Sequence, residues 1–298
     1  MISPMKRRSC VVLGAVVAAG AVACGGGQSN EPAVATPSLA LSRDRVAIGS
    51  PVRLTYKFQV APNAAIDGDY WVFVHVLDPE GEQLWTDDHL PPTPTSKWKP
   101  GETVEYTRTV FVPNYPYLGE ATVRLGLYSQ STGKRLTLNA EDAARKEYVV
   151  AKMRVLPSSE NIFLIYKEGW YPEEIAADNP ASEWQWTRKT ATISFRNPKK
   201  DATFYLDSDA RVDLFVPPQQ VTLSVNGQPI ATFAADSRDR RVQTFPISAA
   251  QFGNGEMAEL VLAADKTFTP SASLPGGSGQ GDTRELGIRV FHAFVEPR

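Results

Sequence analysis

Four large aromatic side chains, Trp170, Tyr171, Trp184 and Trp186, fall within a short stretch that also carries Glu173 and Glu174. Sugar rings present C–H faces that stack on indole and phenol, while carboxylate, amide and guanidinium groups take the hydroxyls. This mixture is what a carbohydrate site requires. The same rings can instead pack a core, where large aromatics contribute most per residue, and for any single one of them packing is the commoner fate. Trp184 and Trp186 share a face if their segment is a strand, which suits both readings. Asp282 and Arg284 also lie on one side of an extended segment. They can form a bidentate ion pair that closes the fold, or a grip on a ligand.

Other chemistry is sparse. The three histidines, His75, His89 and His292, have none of the paired spacing of a zinc helix. His75 sits inside the apolar run YWVFVHVL and reads as structural. Asp87-Asp88-His89 is the densest local cluster, but successive strand residues face opposite sides, so a hydrogen-bonded loop ahead of Pro91-Pro92 is expected rather than a metal site. No G-x-S-x-G or S-x-x-K arrangement stands in a convincing context. Adjacent acids such as Glu173-Glu174 cannot be assigned the separation that glycoside hydrolysis needs. The expectation is a protein without catalysis and without a cofactor.

Charge excludes another class. The 298 residues carry 31 basic and 33 acidic side chains, and no stretch gathers enough Lys and Arg to follow a row of phosphates, so nucleic acid is not an expected partner. Residues 1–23 hold three of the basic residues and no acid; the remainder has 28 against 33, a net charge of −5. The only two cysteines, Cys10 and Cys24, lie at the start of the chain, which leaves the body without a disulfide or a thiolate metal site.

That start reads as an export signal. Lys6-Arg7-Arg8 precedes Val11 to Ala23, an uncharged run within the ~7–15 residues of a signal core and short of the ~20 that span a bilayer. Ala21-Val22-Ala23-Cys24 resembles the lipobox of bacterial lipoproteins, although Ala21 stands where that family prefers leucine. The resemblance implies cleavage before Cys24, a diacylglyceryl thioether on its sulfur and acylation of its freed amine. More than one acyl chain gives stable anchoring. Residues 24–37, with Gly25-Gly26-Gly27, are read as anchor and flexible linker. Gly25 in place of aspartate leans towards the outer membrane by the sorting rule of Gram-negative lipoproteins.

The body then has to supply rigid elements. Val52-Leu54-Tyr56-Phe58-Val60 alternates with polar residues, the period of a half-buried strand. Tyr70 to Leu77 is apolar on both parities, as a central strand is. Turn signals such as Asp78-Pro79-Glu80-Gly81 recur at ~8–12 residue spacing, which predicts an immunoglobulin-like β-sandwich over 38–156. A second, jelly-roll sandwich is expected over 160–298, with a hairpin at Asn226-Gly227. Pro275 to Gly281 reads as a loop, and Ala140 to Lys146 as the one short helix. The fold class is therefore all-β, two antiparallel sandwiches in tandem.

Two further resemblances enter here. Trp71 to Leu136, through WVFVHVLDPEGEQLW and VRLGLYSQSTGKRL, resembles sandwich modules that accompany membrane glycosyltransferases of the polyprenyl-phosphate-sugar type. Gly169-Trp170-Tyr171-Pro172-Glu173, Trp184-Gln185-Trp186, Leu223 to Gly227 and Asp282 to Gly287 resemble galactose-binding-like sandwiches. No multi-span region follows from the sequence, so the transferase itself is not carried over. Together these imply an envelope module, held to the membrane through Cys24, that binds polysaccharide or glycan-handling machinery. Its expected site is Trp170, Tyr171, Glu173, Trp184, Trp186, Asp282 and Arg284. A scaffold for envelope proteins is the alternative, and a glycan-active enzyme a weaker one.

Overall fold

The computed structural model describes residues 31–177, 182–273 and 281–298. The signal segment, Cys24, the glycine leash and residues 275–280 of the expected loop lie outside them.

The first sandwich packs a sheet of β1 (Ala35–Leu41), β3 (Pro51–Val60) and β6 (Thr103–Phe111) on a second, larger one. The latter runs β2 (Arg45–Ala47), β9 (Glu147–Leu156), β7 (Gly119–Tyr128), β4 (Trp71–Leu77) and β5 (Gln83–Thr86), with β8 (Asp142–Ala144) on β9. Pairing is antiparallel except where β2 joins β9 in parallel. The alternation of β3 sends Leu54, Tyr56 and Phe58 into a core shared with Val72, Val74, Leu125 and Leu127, all buried. β4 is covered on its other side too, where the Arg135 guanidinium lies 4.4 Å from the Phe73 ring. Two expectations are corrected at the margins. Strand pairing begins at Ala35, inside the stretch read as linker, because Ala35 and Pro37 pair with Val60 and Phe58. Ala140–Lys146 is no helix: Asp142–Ala144 forms β8, and Arg145 and Lys146, at φ 55° and 61°, turn the chain back into β9.

The second sandwich has two five-stranded sheets. One is β10 (Leu164–Tyr166), β13 (Thr190–Arg196), β18 (Met257–Ala264), β15 (Gln219–Val225) and β16 (Gln228–Ala235). The other is β11 (Glu174–Ile175), β12 (Glu183–Trp186), β19 (Arg289–Pro297), β14 (Ala202–Asp209) and β17 (Arg241–Ile247). Ile193, Phe195, Leu223 and Leu260 of the first meet Phe204, Leu206, Val290 and Val295 of the second in a core of their own. Asn226 and Gly227 sit at φ 48° and 80° between β15 and β16, the backbone a two-residue hairpin demands. The described helices are single turns, Ala249–Phe252 and Pro270–Ser273. The first is closed by a capping box in which Ser248 and Gln251 bond reciprocally.

Between the sandwiches, β9 ends at Leu156 and a 3-10 turn occupies Ser158–Glu160. Contacts cross this junction. Arg43 reaches Glu296 at 2.7 Å, the Asn161 amide donates to the Ile48 carbonyl at 2.8 Å, and Phe111 stacks on His292.

Candidate functional site

β14 carries the unusual feature of the second sandwich. All eight of its residues are buried, yet it contains Asp207 and Asp209. Alternation puts Phe204 and Leu206 in the core and Tyr205, Asp207 and Asp209 on the outer side of the sheet. Its neighbour β19 completes that side. Asp207 pairs with His292 but Ser208 pairs with Val290, so Phe291 is the extra residue of a β-bulge. A bulge re-aims side chains, and this one lets Arg289, Phe291 and His292 all serve the outer side while Val290 stays in the core.

The result is an open depression of about 600 Å³ lined by Trp184, Phe291, Arg238, Arg240, Arg289, Asp209 and Asp239, with Ala176, Ala177 and Ser182 at its border. Trp184 and Phe291 stand edge to face, centroids 6.1 Å apart. The Arg289 guanidinium lies 5.1 Å from each of these rings, and that of Arg240 lies 4.1 Å from Phe291. Carboxylates behind fix both cations. Arg289 donates through Nε to Asp209 at 2.9 Å and through Nη2 to the other oxygen, and Arg240 donates through Nη2 to Asp207. His292 Nδ1 is 3.2 Å from the same Asp207 oxygen. Burial alone would raise the Asp207 carboxyl; hydrogen bonds from His292 and Arg240 outweigh it and hold the group below the usual carboxylate range. Nη1 of Arg289 and Nη1 and Nε of Arg240 make no hydrogen bond among the described residues, so they are donors left over for a ligand. The indole Nε1 of Trp184 is buried and lacks a partner among the same residues.

Of the residues expected from sequence to form a site, only Trp184 lines this depression. Trp170 packs on the core, edge-on to Tyr166, and its indole donates to the Thr192 carbonyl at 2.9 Å. Tyr171 and Trp186 are buried with Phe268 and Leu286 in a small second core. Of the expected stacking residues, Tyr171 and Trp186 are thus buried in packing, while Trp170 is half-buried against the core. Asp282 and Arg284 form the bidentate pair, and Arg284 also reaches Glu174 at 2.7 Å, so its charge is spent within the fold. Glu173 is exposed, and its carboxyl is raised by burial first and by neighbouring Glu183 second. Asp207, Asp209, Arg240, Arg289 and Phe291 were missed. A signal existed for the aspartates: two acids at i and i+2 inside FYLDSD, where a strand would put both on one side.

The Asp87-Asp88-His89 cluster is the bonded loop expected. Asp87 accepts from Tyr56 and, bidentately, from Arg108; Asp88 accepts from the Val74 amide; His89 bonds the Tyr106 hydroxyl at 2.8 Å. No metal-binding group of three such ligands occurs among the described residues.

No family model matches the chain, and no curated protein matches it. Solved structures with a similar arrangement include a β-glucuronidase from Bacteroides uniformis, 12% identical over 88% of this chain and 30% of its own, with a TM-score of 0.28. An exo-β-1,3-galactanase from Phanerochaete chrysosporium, solved with β-1,3-galactotriose, is 11% identical over 88% and 57%, with a TM-score of 0.30. The M60 catalytic domain with two CBM51 domains from Clostridium perfringens ZmpB is 10% identical over 92% and 32%, at 0.24. The chain thus spans less than two thirds of each of these proteins. The likeness is one of layered β-sheets and carries no inference about activity.

Proposed function

We propose that this chain is a non-catalytic, lipid-anchored envelope protein that binds glycan through the outer side of its second sandwich. The observation that carries the reading is the depression at Trp184 and Phe291. Two aromatic faces stand there beside guanidinium groups with unused N–H donors and a carboxylate, Asp239, on the same wall. Aromatic faces take the C–H side of a sugar ring, and the fixed donors orient its hydroxyls without losing much side-chain freedom on binding. The two aspartates of β14 are each committed to an arginine, which removes them as free acid or base and favours binding over hydrolysis. Anchoring rests on Lys6 to Cys24 as read above, and Gly25 points to the outer membrane.

The test is a glycan array and polysaccharide pull-down with the mature chain, repeated with Trp184→Ala and Arg240→Ala. Loss of binding in both variants with a preserved fold supports the reading. A wild-type chain that retains no glycan at millimolar concentration removes it. A scaffolding role is the second reading, favoured by one observation: Phe163 and Ile165, neighbours at edge strand β10, are 80% and 38% exposed. Large apolar side chains on an open sheet edge suit a protein contact.

A further inference from the structure

A smaller polar crevice lies where the two sandwiches meet. Ser42, Arg43, Pro51 and Arg53 of the first and Tyr205 and Glu296 of the second line a space of about 120 Å³. Its charge does not balance. Glu296 is the single acid of the lining, and it is already engaged by Arg43 at 2.7 Å and by the Tyr205 hydroxyl at 2.6 Å. Burial, and then the bond to Glu296, push that hydroxyl up to about 12, so it stays protonated and donating. Arg43 spends Nη2 on Glu296 and the Pro51 carbonyl, while its Nε is buried with no partner. The Arg53 guanidinium has no hydrogen bond or ion pair among the described residues. Two cations therefore face one satisfied carboxylate, and the Arg53 guanidinium keeps all of its N–H donors.

We propose that this crevice is an oxyanion site, taking a phosphate, sulfate or carboxylate group between the guanidinium groups of Arg43 and Arg53. Arg53 supplies a planar fork for a bidentate bond, Arg43 the N–H groups of Nη1, which no described residue accepts, and Ser42 a hydroxyl. The site draws on residues of both sandwiches, so an occupied crevice also ties them together. It is separate from the depression at Trp184 and does not depend on glycan binding there. The oxyanion can come free or as the acidic group of a polysaccharide.

The experiment is calorimetric titration of the mature chain with inorganic phosphate at fixed ionic strength, alongside Arg53→Gln and Trp184→Ala. The Arg53 side chain is exposed and bonds to no described residue, and its backbone pairing in β3 does not depend on the side chain, so Arg53→Gln leaves the fold intact. Saturable phosphate binding is expected, weakened about tenfold or more by Arg53→Gln, the loss that follows one charge-assisted hydrogen bond. Trp184→Ala should bind phosphate as wild type does. Polygalacturonate and neutral dextran then separate the sources: binding of the former that phosphate competes away assigns the site to an acidic glycan, and its absence assigns it to the free ion. No saturable heat with phosphate, or equal affinity in Arg53→Gln, overturns the proposal.

Discussion

The imidazole of His292 lies flat against the ring of Phe111, centroids 4.6 Å apart and planes 11° apart, so a residue of the second sandwich is held by the first. The same imidazole bonds Asp207, which holds Arg240, which covers Phe291 in the depression. Each sandwich nevertheless has its own core. Fragments 32–157 and 160–298 should therefore each unfold cooperatively, the second with a lowered melting temperature because Phe111 and Arg43 are gone. Fragment 38–157 should be less stable than 32–157, since it loses the pairs that Ala35 and Pro37 make with β3. Thermal unfolding by circular dichroism measures both. If neither sandwich is soluble alone, the junction is part of one cooperative unit.

Trp184 and Trp186 are two residues apart and should respond oppositely. Trp186 is buried against Phe268, so Trp186→Ala should cost ~3–5 kcal/mol, the usual price of truncating a core indole. Trp184→Ala should cost roughly 1 kcal/mol, near the centre of the distribution for point changes, while removing a face of the depression. Chemical denaturation of the two variants decides it. Equal, large losses would place Trp184 in the core as well.

Much of this could be read before the fold was seen, and the reason is local. The alternation in β3, the doubly apolar β4 and the Asn226-Gly227 turn each carry their structure within a few residues. The depression does not. Its parts come from β12, β14, β19 and the turn before β17, made neighbours by a sheet order that is not the chain order. The bulge at Phe291 breaks the period of two, so no alternation rule would have placed Arg289, Phe291 and His292 on one side. Composition favoured the Trp170 to Trp186 stretch because aromatics cluster there, but Trp186 answers to Phe268 and Tyr171 to Leu286, partners far along the chain.

Cys24 lies outside the described residues, and the expectation for it is chemical. Cys24→Ser should abolish labelling by a radioactive fatty acid and release the chain from membranes, while the melting temperature of the sandwiches stays unchanged. The first described strand begins at Ala35, eleven residues beyond Cys24. Fatty-acid labelling and membrane fractionation read the outcome, and equal labelling of variant and wild type would rule out the lipid anchor.

Stability should fall in two steps on acidification, from His89 and then Asp207. Burial first, and the nearby Arg108 second, hold the His89 imidazole below its ordinary 6.5. A depressed folded value means that the unfolded chain takes up the proton first. The stability tied to neutral His89 is therefore complete above pH 6.5 and is lost as pH falls through the folded value. For Asp207 the bonds from His292 and Arg240 overcome burial and depress the group below 3.8. Its contribution is complete above that pH and lost below it, by the same sign. Urea unfolding at a series of pH values should show the upper limb vanish in His89→Gln and the lower one shrink in Asp207→Asn. Asp207→Asn should also be less stable than wild type at pH 7, where it leaves Arg240 without its carboxylate, and should approach wild type once both are measured well below pH 3.8. An unchanged gap between Asp207→Asn and wild type across that range would mean that the carboxylate is not the partner that fixes Arg240.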